Sequence, residues 1–126
     1  MIRCNIFNDT GYLFDQELVR NRVTSVIEEK ANEKGNFEVD IYIVGEEAMK
    51  KIHKEFMDTY EVTDVLSFPL EYDKSIPDDI IRLGDVVICF EVAQKQANEF
   101  DKLLQTEIDD LAEHGTLHLL GYHHDE

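Results

Sequence analysis

The chain has 126 residues, 43% of them apolar, which suits a single domain over residues 1–126 with one core. Its formal net charge of −16, from 28 acidic and 12 basic residues, argues against nonspecific attachment to anionic membranes or nucleic acid. No stretch reaches the roughly 18–20 apolar residues of a membrane span, and Met1-Ile2-Arg3-Cys4-Asn5 lacks the pattern of a signal peptide, so neither is expected.

The predicted elements run as follows. Ile2 to Ile6 alternates with period two, as a half-buried strand does. From Asp15 to Glu33 the spacing predicts a helix, with Val19, Val23, Val26 and Ile27 on one apolar stripe and Gly35 as its stop. Val39, Ile41 and Ile43 alternate with polar neighbours in a second strand. Glu46 and Glu47 suit the positive end of a helix reaching Met57, on which His53 is expected to face solvent. Val65 to Phe68 reads as a short strand ended by Pro69, and Tyr72 to Asp79 as a surface loop. Val86 to Phe90 is continuously apolar, the mark of a mid-sheet strand covered on both faces. Ala93, Ala97, Phe100 and Leu104 mark one helix, and a last helix spans Thr106 to Leu120. Helices and strands mix without strict alternation, so the expected fold class is α+β: a small mixed sheet of about four strands packed with helices. Cys4 and Cys89 lie in strand-like stretches and are expected as free buried thiols, a disulfide being the alternative.

The chemistry concentrates at the end of the chain, where four of the five histidines lie. His114 and His118 are four apart on the predicted last helix, which stacks their side chains on one face. Two imidazoles so placed can share one zinc ion. Gly121 can end the helix in the left-handed conformation and turn the chain so that His124 reaches the same ion, with His123 as the alternative third ligand. Three protein ligands leave a fourth zinc position for water, the arrangement of catalytic sites. The spacing matches the metzincin protease signature except at Gly115, where that signature has its glutamate base. The metal geometry is therefore expected without the peptidase base.

The segment His114-Gly-Thr-Leu-His118-Leu-Leu-Gly121-Tyr-His-His124 resembles the signature of the YbeY family of bacterial endoribonucleases. Thr63-Asp64-Val65-Leu66-Ser67-Phe68-Pro69 and Leu83-Gly84-Asp85-Val86-Val87-Ile88 agree with it in order and spacing. The resemblance implies a cytoplasmic, single-strand-specific, metal-dependent endoribonuclease acting in 16S rRNA 3′-end maturation and ribosome quality control. Its partners would be rRNA and the small ribosomal subunit, with no DNA and no membrane. It also implies one zinc ion on His114, His118 and His124, with Ser67 lining the site. Three features depart from the family pattern. His123 stands where the family has aspartate, and Met57 where it has an arginine suited to gripping phosphate. The chain also stops two residues after His124, where relatives carry a tail, so the third ligand is expected to fray unless metal fixes it.

An RNA partner needs local positive charge. Lys50, Lys51 and Lys54 form one candidate patch, with Lys54 as a substrate contact; the alternative is a solvated helix face paired with Glu46, Glu47 and Glu55. Glu113, Asp64, Asp85 and Asp125 are the carboxylates from which a general base could come. Two other readings compete: a zinc peptidase-like hydrolase, which Gly115 disfavours, and a non-catalytic ribosome assembly factor that keeps the metal site, which Met57 favours.

Overall fold

A computed structural model describes residues 1–31, 35–59, 63–70 and 80–122. The predicted loop at 72–79 and the residues His123, His124 and Asp125 lie outside them. In chain order the elements are β1 (Ile2–Asn8), α1 (Gln16–Lys30), β2 (Phe37–Val44), α2 (Glu46–Met57), β3 (Val65–Pro69), β4 (Ile81–Cys89), α3 (Phe90–Glu99) and α4 (Leu104–Leu119). The fold is α+β, as the pattern predicts. Among the described residues a four-stranded sheet has the order β1-β2-β4-β3, parallel except where β3 runs antiparallel to β4.

Alternation along the strands sorts side chains to two faces. One carries Cys4, Val39, Ile41, Ile43, Val86 and Ile88, and it forms the main core with Val19, Val23 and Ile27 of α1 and Ile108, Leu111 and Ala112 of α4. The other carries Val44, Val87 and Cys89 and packs on Met49 of α2. β4 is interior and covered on both faces, which accounts for its unbroken apolar run. Pro69 stays within β3, and an edge strand can hold a residue with no N–H to donate. Cys4 and Cys89 are buried free thiols on opposite faces, and burial pushes the Cys4 thiol up to about 11.

Helix ends follow local chemistry. Asp15 caps α1, its carboxylate accepting from the N–H groups of Glu17 and Leu18 at 3.0 and 3.2 Å. α1 stops at Lys30, short of the expected Glu33, because Ala31 turns to extended backbone. The N-terminus of α2 takes its cap from a distant residue, Glu91 of α3, which accepts from Glu46 N–H at 3.0 Å. The stripe of Ala93, Ala97, Phe100 and Leu104 is not one helix. α3 ends at Glu99, Asp101 takes a positive φ of 53°, and Leu104 opens α4. The apolar spacing ran on across a corner, leaving Phe100 exposed and closing the turn with Lys102 N–H on the Ala97 carbonyl at 2.8 Å.

His53 is also corrected. It is 3% exposed, one helical turn after the fully buried Met49 on the inward stripe of α2. Its Nε2 lies 3.0 Å from Thr63 Oγ1 and its Nδ1 3.4 Å from Thr59 Oγ1. These contacts tie α2 to both sides of its connection to β3, which gives a buried imidazole polar partners.

α4 seats on the sheet at Gly115. A Cβ there would stand 2.5 and 3.1 Å from the two methyls of Val86 and 3.3 Å from Val65. Val86 is β-branched, fully buried and in an interior strand, so it cannot give way cheaply. Gly115→Ala is therefore expected to lower stability by about 1–3 kcal/mol despite alanine's better helix propensity. Urea unfolding should show the midpoint falling with the slope unchanged.

Candidate functional site

α4 carries the two described imidazoles. His114 and His118 have ring centroids 4.4 Å apart with planes inclined at 57°, so the four-residue spacing does bring both rings to one helical face. Both side chains are half-buried, and Nε2 of His118 is buried. The backbone between them, at Gly115, touches Val65 of β3 and Val86 of β4, which places the pair beside the edge strand. Ser67 pairs in register with Val86 and alternates with Val65, so it lies on the same face of the sheet as α4. After Leu119 the chain turns through Gly121 at φ 96°, with its N–H on the His118 carbonyl at 3.0 Å and the Tyr122 N–H on Leu117 at 2.9 Å. That is the left-handed stop expected there. The Tyr122 hydroxyl donates to the Lys30 carbonyl at 3.0 Å and anchors the turn to α1. Among the described residues no group of three histidine, cysteine, aspartate or glutamate side chains gathers around one point. The described part of the predicted set is the His114–His118 pair, and His124 lies beyond it.

The other sequence-predicted residues separate by face. α2 packs on the opposite side of the sheet from α4. Met57 closes α2 and is 53% exposed. Lys54 pairs with Asp58 at 2.9 Å and Lys50 with Glu47 at 3.4 Å, so this basic patch is largely spent on neighbouring carboxylates. Asp64 is a structural residue: it accepts from Val65 N–H at 2.7 Å and from Gln96 of α3 at 3.2 Å. Glu113 lies 3.4 Å from Arg22. Asp85 pairs in register with Asp40 and Phe68 and faces the α2 side. Burial, and then the neighbouring Asp40 charge, push its carboxyl up.

A family model described as Endoribonuclease YbeY matches residues 5–126. The chain belongs to the YbeY family. A protein of that name from Finegoldia magna is 40% identical over 89 residues, which cover 71% of this chain and 57% of that one. Another, from Staphylococcus aureus, is 44% identical over 92 residues, covering 69% and 59%. The chain thus matches less than two thirds of the length of these relatives. The solution structure of TM1509 from Thermotoga maritima superposes with a TM-score of 0.62 over 99% of this chain and 75% of the other, at 24% identity, which shows a shared fold. No described helix is long and apolar enough to cross a membrane.

Sequence reasoning missed what holds α4 in place. Asp110 receives Arg22 of α1 at 2.8 Å and Lys102 of the α3–α4 corner at 2.6 Å, and Lys102 also reaches the buried Glu107 at 2.7 Å. These partners are distant in sequence from Asp110 or separated from it by the corner, so periodicity carries no trace of them. Burial acts to raise the Asp110 carboxyl, but the hydrogen bonds from Lys102 and Arg22 outweigh it and hold the group below its usual value. An ionised carboxylate favoured in the folded state stabilises at neutral pH, and that contribution is lost as pH falls through its folded value. Asp110 and Arg22 are partly exposed, so screening reduces the effect. Asp110→Asn is expected to cost about 0.5–1 kcal/mol at pH 7, and the difference from wild type to vanish in strong acid. Urea titrations at stepped pH read this directly.

Proposed function

We propose that the chain is a zinc-dependent endoribonuclease specific for single-stranded RNA, acting on the 3′ end of 16S rRNA during maturation and in ribosome quality control in the cytoplasm. The observation that carries the reading is the His114–His118 pair, 4.4 Å apart on α4 and followed by the Gly121 turn, in a chain of the YbeY family. The relatives named above bear the name endoribonuclease. The donor set fits zinc: imidazole nitrogens on one helical face suit a borderline-soft dication. In this reading His114, His118 and His124 hold the ion, with one position left open. A zinc ion so bound supplies Lewis acidity toward a phosphodiester oxygen or a water, and its charge offsets part of the protein's negative field.

The chain's own residues set what surrounds that position. Ser67 lies on the same face of the sheet as α4, and in this reading it orients a substrate oxygen. Glu113 and Asp64 are engaged with Arg22, and with Gln96 and the Val65 amide, which leaves neither poised to take a proton. Met57 cannot grip phosphate as the family's arginine would. That residue favours a second reading, a ribosome assembly factor that retains the metal site without cleavage. The peptidase-like reading is weakened by packing. Position 115 bears the base in metzincins, whereas Gly115 has no side chain to take a proton, and a Cβ there would meet the methyls of Val86.

Elemental analysis paired with cleavage of single-stranded RNA tests the reading. Wild type is expected to hold one zinc ion per chain and to cut. His114→Ala and His118→Ala are each expected to lose the ion and at least about 100-fold in rate, beyond the 10–100-fold typical of outer-shell partners. Equal cleavage by wild type and both variants rejects the zinc-centred model. Met57→Arg is expected to raise cleavage about tenfold or more, as an added donor to developing charge does. No cleavage by wild type or by Met57→Arg, with ribosome co-sedimentation retained, transfers support to the assembly-factor reading.

A further inference from the structure

On the face of the sheet away from the imidazoles, α2 leaves a cavity of about 290 Å3 uncovered. Its walls include three aromatic rings, Tyr42, Phe56 and Phe68, with Ile52 and Val87 among the aliphatic residues and Asp85 as the one charged side chain among the described lining residues. Phe56 and Phe68 stand 5.1 Å apart at 52°, and Phe56 is 61% exposed at the cavity wall, an unusual exposure for a large aromatic ring. Asp85 is half-buried, and among the described residues none donates a hydrogen bond to its carboxylate. A half-buried carboxylate in an apolar wall accepts favourably from a ligand that brings paired donors.

We propose that this cavity receives one nucleobase of a single-stranded RNA, guanine by preference, stacked against Phe56 and Phe68 with its Watson–Crick edge on Asp85. The inference rests on the endoribonuclease reading and gives it a specificity subsite. Single-stranded RNA is recognised mainly through unstacked bases laid on aromatic side chains, with hydrogen bonds to their edges. The volume, at the small end of ligand pockets, suits a single ring system and not a folded helix. The choice of base follows from the donor pattern. Guanine presents N1–H and N2–H side by side, matching the two oxygens of a carboxylate. Cytosine offers one amino group beside an acceptor ring nitrogen, adenine likewise, and uracil one N–H between two carbonyls, each of which sets a lone pair against the carboxylate. Stacking also supplies affinity that a net charge of −16 denies to phosphate contacts. β3 makes both sites reachable by one strand of RNA. It is the edge strand, with Ser67 on the imidazole side and its neighbour Phe68 on the cavity side.

The test is an NMR titration of the full chain with guanosine, inosine, cytidine and uridine in the presence of a chelator. Guanosine is expected to shift resonances of Tyr42, Phe56, Phe68 and Asp85 and to bind about tenfold or more tightly than the other three, inosine lacking only the N2 amino group. Asp85→Asn is expected to weaken guanosine about tenfold or more, and Phe56→Ala, at an exposed position that leaves the core intact, to weaken all four. Equal affinities, selectivity unchanged in Asp85→Asn, or shifts confined to other surfaces overturn the inference. Tighter binding of phenethylammonium than of guanosine overturns it in favour of an organic-cation site. Neither metal nor cleavage enters this measurement. Guanosine selectivity in a protein that does not cut leaves the subsite standing and removes the nuclease reading, whereas cleavage without base selectivity does the reverse.

Discussion

The contact on which this molecule depends is the close approach of α4 to the sheet at Gly115. With no Cβ, the helix sits against the methyls of Val86 and Val65 and covers the main core with Ile108, Leu111 and Ala112. The same seating aims His114 and His118 along the flank of α4 beside the edge strand and brings Ser67 onto their side. Position 115 therefore serves packing. The position that bears the base in a peptidase of the same histidine spacing is occupied here by a helix–sheet contact, so the likeness to metzincins is one of histidine spacing alone.

Around that contact the structure spends its charges on holding elements together. Arg22, Lys102, Asp110 and Glu107 join α1, the α3–α4 corner and α4, while Glu91 of α3 caps α2. Of the 12 basic residues, Lys50, Lys54, Arg22 and Lys102 all reach carboxylates. Under the proposed function, an RNA ligand would meet few uncommitted cations on these elements, and aromatic stacking would carry more of its affinity than in a basic nuclease. The exposed ring of Phe56 and the cavity beside it are where the proposed subsite would supply that stacking.

The two faces of the sheet divide the proposed labour. Alternation along β3 sends Val65 and Ser67 toward α4 and Leu66 and Phe68 toward α2. The same five-residue strand thus contributes to both faces, with Ser67 on the side of α4 and Phe68 on the side of the aromatic cavity.

Much of this was legible in the amino-acid order because it depends on near neighbours. Period-two alternation in β1 and β2, the unbroken run in β4, the α1 stripe and the histidine pair with its glycine stop are local patterns, and the structure repeats them. The family, too, shows in the order of residues, with its model matching residues 5–126. What misled was also local. The stripe from Ala93 to Leu104 crosses a corner that only Asp101's left-handed backbone reveals, and His53 looks like a surface residue until Thr59 and Thr63 return to meet it. Tertiary structure alone decided that Gly115 is a packing residue, that Asp85 lies across the sheet from the imidazoles and that Asp110 locks α4 to α1. Each of these turns on residues far apart in the chain and adjacent in space, and a pattern read along one strand or helix does not record which surface it will be pressed against.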